Sequence, residues 1–335
     1  MKKALFLTLM ASVAFAACTS DESLVPPQEI DFQVAKYLST SRATGSEFTG
    51  SFGTYSFGLG DGKEMSNTEI FLQSGVWKAA TPYYWPVTGN TVNFISYAPY
   101  SATCPFTIAD GSVSITSLYT IDGSTDLMLA DYATGLTSNV NNITTSGTDY
   151  TGVPTLFRHM LSNVSFNIGL TADAVAKGYS LIVTGMELSG IYNQGTISLT
   201  PNSGNAVSNL KEWDWPAYWT TTSSTTTDIT IGHPTEEITT SDLVAATLQN
   251  CYLLPQEFVV DQQQITISYK LKYNGQDEEQ DPITKDLLNI ATDHTEWGIN
   301  KKIVYNIRIG VTTNEITFDP AVADWSTPVD VNVTL

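Results

Sequence analysis

The chain has 335 residues, with 34 acidic against 15 basic side chains and a formal net charge of −19. That balance leaves no Lys/Arg patch of the kind phosphate backbones and anionic membrane surfaces require, so neither nucleic acid nor anionic lipid is a partner. Charged residues make up only 15% of the chain while Thr, Ser, Val, Ile, Tyr and Gly dominate, the composition of a β-rich exported protein.

Met1-Lys2-Lys3 is a positive n-region, Ala4 to Ala14 an apolar core, and Phe15-Ala16-Ala17-Cys18 puts small residues just before a cysteine. A bilayer span needs about 20 apolar residues, so the run reads as a removable leader over residues 1–17. The stretch ending at Cys18 resembles the lipobox of bacterial lipoproteins, which implies a lipid on Cys18 and a precursor tethered to the outer membrane. Asp21-Glu22 resemble the acidic tag that sends some Bacteroidetes lipoproteins to the cell surface. About 315 residues remain, a length that suits two domains of roughly 150 each. Cys104 and Cys251 are too few for a disulfide framework, and are either one bridge between domains or two free buried thiols.

Next, Ile30, Phe32, Val34, Lys36 and Leu38 fall on one parity, with Asp31, Gln33 and Ala35 on the other, which predicts a half-buried strand over 30–38. The polar Ser-Thr-Ser-Arg-Ala-Thr-Gly-Ser stretch after it predicts an exposed loop, open to proteolysis. It holds Arg42, followed by Ala43. The other arginines, Arg158 and Arg308, sit inside strand-like runs.

From Phe48 to Pro154, strand signals recur at Thr54–Phe57, Ile70–Leu72, Val92–Ala98 and Val113–Ile115, separated by turn chemistry at Asp61-Gly62, Thr88-Gly89-Asn90 and Asp110-Gly111-Ser112. No amphipathic helix of useful length interrupts them, the signature of a β-sandwich or barrel. Trp77, Tyr83-Tyr84-Trp85-Pro86 and Tyr97-Ala98-Pro99-Tyr100 read as core packing, with a carbohydrate platform as the alternative. Val153-Pro154 reads as a break before a second domain. Phe157, His159 and Leu161 then share odd parity and Val164, Phe166 and Ile168 even parity, so a bulge or corner is expected near Ser162-Asn163. Further strands are predicted at 179–188, 196–199, 228–231, 251–254, 264–273, 302–311 and 315–318, with a hairpin at Asn274-Gly275 and a helical turn within 286–292. Val329, Val331, Val333 and Leu335 alternate with polar residues and predict a last apolar-faced strand.

Enzymatic signatures are absent: there is no Gly-x-Ser-x-Gly, no His-Glu-x-x-His and no phosphate loop. His159 reads as a packed, hydrogen-bonded histidine and Asp277-Glu278-Glu279 as a solvated face. Asp122 to Asp126 lacks the later glycine and glutamate of a calcium loop. Nothing in the sequence asks for a cofactor or a metal.

The pieces in order are the lipobox, the strand and Arg-Ala junction, Tyr83-Tyr84-Trp85-Pro86, Phe94-Ile95-Ser96-Tyr97, Asp126 to Ala130, Phe157 to Phe166, Leu253 to Gln256, Trp297-Gly298, Tyr305-Asn306-Ile307 and Val322 to Trp325. Across nearly the whole chain they resemble the fimbrillin superfamily of Bacteroidetes type V pili, the major and minor fimbrial subunits. The resemblance implies an all-β fold of two transthyretin-like Greek-key β-sandwich domains in tandem, over 43–154 (completed by strand 30–38 in the precursor) and 155–335. It implies no enzyme but a fimbrial subunit, exported as a lipoprotein to the cell surface. An arginine-specific surface protease would cut between Arg42 and Ala43, releasing the lipid-bearing segment 18–42 with its strand, and other fimbrial subunits would refill the groove. The donor candidate in this chain is Val329 to Leu335. Its shortness makes a tip or accessory place nearly as plausible as a stalk place. The alternative is a surface adhesin that does not polymerise and binds a host protein or glycan through Trp213, Trp215, Tyr218 and Trp219, four aromatics in seven positions beside a Ser/Thr run; the other reading of these rings is that two or three of them pack under a loop.

Overall fold

Strands form where apolar and polar residues alternate, and they stop at Gly, Asn and Asp turns. The computed structural model describes residues 27–35, 50–60, 62–87, 89–138, 144–145, 148–149, 152–203, 210–221, 225–247, 251–290, 294–311 and 316–324. β1 (Phe32–Ala35), β2 (Phe52–Phe57), β3 (Thr68–Gln73), β4 (Val76–Ala79) and β5 (Val92–Ala98) come first. β6 (Thr107–Ala109) and β7 (Ser112–Thr120) are joined by the expected Asp110-Gly111 turn, with Gly111 at φ 70°, and β8 (Met128–Ala130) and β9 (Tyr132–Leu136) follow. After the small pair β10 (Thr144–Thr145) and β11 (Thr148–Asp149) come β12 (Val153–His159), β13 (Ser162–Leu170), the helix α1 (Ala172–Ala176), β14 (Tyr179–Tyr192) and β15 (Gln194–Leu199). β16 (Leu210–Lys211), β17 (Thr220–Thr221), β18 (Thr226–Thr230), β19 (Val244–Ala245), β20 (Cys251–Leu253) and β21 (Gln256–Glu257) are short. β22 (Gln264–Tyr273) and β23 (Gln276–Glu279) form a hairpin whose Asn274-Gly275 turn has positive φ at both residues, 49° and 78°. β24 (Ile283–Asp286), a 3-10 turn at Leu287–Asn289, β25 (Glu296–Trp297), β26 (Lys301–Ile309) and β27 (Ile316–Asp324) complete the order.

The largest sheet curls until it meets itself. Its strands lie in the order β16-β9-β5-β2-β3-β4-β1-β12-β8, and β8 pairs a second time with β5. Among the described residues seven strands, β5-β2-β3-β4-β1-β12-β8, therefore close a ring, and β1 is one of its staves. Phe52, Ile70, Phe94, Ala98 and Val153 fill the interior. The opposite faces of β5 and β8 carry Ile95, Tyr97 and Leu129, which are covered by Val113, Ile115, Ile197 and Leu199 of the sheet β6-β7-β15-β17. Both faces of β5 are thus buried.

The remaining strands build two facing sheets, one with β13 between β26 and the short β19 and β20, the other with β14 between β18 and β22. Val164, Phe166, Leu181, Leu188, Ile265, Ile303 and Ile307 fill the space between them. Phe166 and Tyr305 stack at 5.2 Å and 10°. The fully buried Tyr305 hydroxyl accepts from Trp297 Nε1 at 2.8 Å and meets His294 Nε2 at 2.5 Å, and burial pushes its phenol far above the ordinary value.

Several sequence expectations change in the structure. The Val153-Pro154 break is part of β12. Val153 N–H donates to Asp31 O, so by the alternation of a strand Pro154 faces the other way, beyond the end of β8, and its missing N–H costs no ladder bond. The boundary drawn between 154 and 155 falls inside β12, and β15, beyond it, pairs with β7, before it. The phase change is a corner two residues earlier than expected: Met160 and Leu161 carry the chain from β12 into β13 and are both buried. α1 was not expected, although Thr171 caps it by accepting from Ala174 N at 3.2 Å and Gly178 follows it at φ 85°. Both cysteines are free. Cys251 lies in the core between the two facing sheets, where burial pushes its thiol up to about 11, and Cys104 is half-buried against the sheet of β7 and β15.

Arg158 of β12 makes a two-pronged pair with the buried Asp131, Nε to Oδ1 at 2.8 Å and Nη2 to Oδ2 at 2.9 Å, and also meets Glu212 at 3.5 Å. Burial raises the Asp131 carboxyl above its ordinary value and Arg158 opposes that shift. Arg158→Ala strands a buried charge and is expected to cost about 3–5 kcal/mol in urea unfolding. Lys270→Ala, which breaks an exposed cross-strand pair with Glu279, is expected to cost less than about 1 kcal/mol. Equal effects would contradict the assignment.

Candidate functional site: the slot of the first strand

β1 enters the ring because its even-numbered side chains, continuing from Ile30, face inward. Ile30 and Phe32 are 2% and 4% exposed, and Val34 is half-buried. Phe32 meets Phe52 edge-on at 5.6 Å and 78°, and Phe94 at 5.7 Å and 86°. On one side β1 runs parallel to β12, pairing Phe32 with Val153, Gln33 with Pro154, Val34 with Thr155 and Ala35 with Leu156. On the other side Phe32 pairs antiparallel with Trp77 of β4.

The pairing extends ahead of β1. Ile30 N–H donates to Tyr83 O at 2.8 Å and Trp85 N–H to Gln28 O at 3.0 Å, around a bridge between Glu29 and Tyr84. The aromatic run Tyr83-Tyr84-Trp85 is thus a backbone wall of the slot, with Trp85 in the core and Tyr84 outside. Gly152 is the other wall's close approach: a Cβ there would lie 2.8 Å from Asp31 O, which no side chain tolerates. Burial raises the Asp31 carboxyl above its ordinary value; its own backbone hydrogen bond opposes this, Glu29 adds to it and Lys78 works against it. Sequence reasoning missed both walls, since backbone pairing leaves no mark on residue type; only the glycine before Val153 hinted at a close contact.

Of the residues singled out from sequence, Ile30, Phe32 and Val34 come together here. Cys18, Lys36, Leu38, Arg42, Ala43, Val329, Val331, Val333 and Leu335 lie outside the described residues. The other two arginines are built into strands: Arg158 as above, and Arg308 in β26, where Nη1 donates to Leu170 O at 3.3 Å and also to Ser241 O.

Trp213, Trp215, Tyr218 and Trp219, offered in the adhesin alternative as one platform, do not form one face. Trp213 and Trp219 are 1% and 0% exposed, and their indole N–H groups donate to Ala130 O at 2.7 Å and Met160 O at 2.8 Å. They are core residues because an indole buries a large apolar area once its single donor is satisfied. Trp215 is half-buried, and only Tyr218 stands in solvent, where its hydroxyl bonds to Glu257.

His159 Nδ1 lies 2.9 Å from Asp126 Oδ1. Asp122 is occupied by its own turn, accepting from Ser124 N, Thr125 N and Thr125 Oγ1 at 2.8, 2.7 and 2.6 Å. The Asp277-Glu278-Glu279 strand is exposed throughout, with Asp277 and Glu279 opposite Lys272 and Lys270.

Comparison with known proteins follows the same lines. The profile of a family described as fimbrillin-like matches residues 25–325. Among solved structures, a fimbrial protein from Bacteroides vulgatus superposes with a TM-score of 0.52 at 16% identity, covering 89% of this chain and 99% of that one. A candidate cell adhesion protein from Bacteroides uniformis gives 0.50 at 19% identity, again over 89% and 99%. At such identities the likeness is one of fold. No curated protein matches the chain.

If Phe32 is the anchor of the slot, Phe32→Ala lowers the stability of the intact protein by about 3–5 kcal/mol, while Glu29→Ala, at a 3.8 Å surface pair, changes it by less than about 1 kcal/mol. Chemical unfolding of the two variants decides; a silent Phe32→Ala would show that β1 does not seal the ring.

Proposed function

This chain belongs to the fimbrillin-like family, and from that premise we propose that it is a structural, non-enzymatic subunit of cell-surface fimbriae whose first strand is a removable stave. The observation that carries the reading is the place of β1: it is contributed from the chain's N-terminal side, lies between β4 and β12 in a closed ring, and is followed within seven residues by Arg42. In this reading Cys18 carries the lipid that brings the precursor to the outer membrane. An arginine-specific surface protease then cuts between Arg42 and Ala43, and the lipid and the strand leave together.

The energetics make the cut a commitment. Ile30 and Phe32 alone account for about 1.5–3 kcal/mol of apolar burial each. The backbone bonds to Tyr83, Trp85 and Val153 add about 1 kcal/mol net apiece. A loss of that size is comparable with the roughly 5–15 kcal/mol total stability of a typical domain, so the opened ring is driven to accept another strand by β-augmentation. The segment Val329 to Leu335 is this chain's candidate donor to a neighbour. Arg158 and Arg308 offer no competing cut, being tied into β12 and β26.

Arg42→Ala is expected to leave the precursor lipid-bearing and monomeric when treated with an arginine-specific protease, while the wild-type chain begins at Ala43 and assembles. N-terminal sequencing beside a heat-stability ladder on a gel reads both. Fibres formed by Arg42→Ala in the presence of the protease would overturn the scheme.

A further inference from the structure

We propose that the slot vacated by β1 selects an incoming strand with an aromatic side chain at the Phe32 position, and so prefers a strand from a different subunit to this chain's own segment 329–335. The inference rests on the reading that the segment up to Arg42 is cut away, and it names the partner of that same slot.

The rings that surround Phe32 belong to strands that stay. Phe52 is on β2 and Phe94 on β5, and both present themselves edge-on to Phe32 at 5.6 and 5.7 Å; Trp77 of β4, the strand partner of Phe32, packs its ring on Phe52. When β1 leaves, the walls of an aromatic-shaped pocket remain. They have little room to collapse inward, because β5 is packed on both faces and Phe52 is held by Trp77 and Phe157 as well, at 5.6 and 5.3 Å. A side chain smaller than a ring leaves a void there, and voids with unrelaxed walls are costly. Tyrosine fits less well than phenylalanine, since its hydroxyl would need a partner at an apolar depth.

This chain's own segment suits the slot in pattern but not in size. Val329-Asp330-Val331-Asn332-Val333 follows the order of Ile30-Asp31-Phe32-Gln33-Val34, apolar for apolar and polar for polar. It contains no aromatic residue at any position through Leu335. The pocket is therefore underfilled by this segment in every register and in either strand direction. A strand of another subunit that repeats the pattern with Phe in the middle fills it.

The test uses the full-length protein cut after Arg42 and freed of the released segment, with anisotropy of labelled peptides as the readout. The peptides are residues 27–38, the same with Phe32→Val, residues 326–335, which leave out Trp325, and the same with Val331→Phe. We expect the native 27–38 peptide to bind at least about tenfold more tightly than its Phe32→Val form or the 326–335 peptide, and Val331→Phe to recover most of the gap. Binding of the 326–335 peptide within about twofold of 27–38, or no gain from Val331→Phe, overturns the selectivity. Uptake of no peptide at all by the cut protein overturns the removable-strand reading itself, and the selectivity with it.

Discussion

A ring of strands has no edge, and the ring in this protein is closed by a short segment that the rest of the chain does not need for its continuity. β1 gives its two edges to β4 and β12 and its inward face to Phe52 and Phe94. While it is present, β12 is paired with it from Val153 to Leu156 and β4 at Trp77. Without it, β12 turns toward solvent the row that begins with Val153 N–H, and Pro154 does nothing to guard that row because it faces the other side. An unguarded row beside an apolar pocket is an aggregation hazard in an ordinary protein and a joint in an assembling one.

In the proposed scheme the contacts of the rest of the molecule keep the loss of β1 local. β8 is held by both β5 and β12, and the outer faces of β5 and β8 are sealed by the sheet of β7 and β15. Arg158 locks β12 to Asp131, and the buried corner at Met160 and Leu161 ties β12 to the next core. Those contacts do not involve β1. The chain on either side of residue 154 is knitted by β7 with β15 and by Trp213 reaching Ala130, so the two halves support each other through features independent of the slot.

Local signals were legible in the sequence and non-local ones were not. The strand over 264–273 and its Asn274-Gly275 turn were read at their true positions, because alternation and turn chemistry are written in neighbouring residues. Ile30, Phe32 and Val34 were recognised as one inward face for the same reason. The second pairing of β8 with β5, which closes the ring, depends on residues about 30 apart meeting, and no residue type announces it. Trp213 and Trp219 sit beside a Ser/Thr run that reads as surface, yet the carbonyls that satisfy their N–H groups, on Ala130 and Met160, come from distant strands. α1 did leave a trace, a Thr cap and a trailing glycine, but five residues are too few to show a helical period.

Hydrogen exchange at the two walls of the slot tests the claim that β1 completes the ring most directly. The amides of 152–157 and 76–79 that face β1, Val153 and Thr155 among them, are compared in the intact protein, in the protein cut after Arg42 and freed of its first segment, and in the cut protein after assembly. The account requires strong protection in the intact chain, its loss at these β1-facing amides in the cut chain with the β13, β22 and β26 amides unchanged, and its return on assembly. Protection that survives removal of the segment would contradict it.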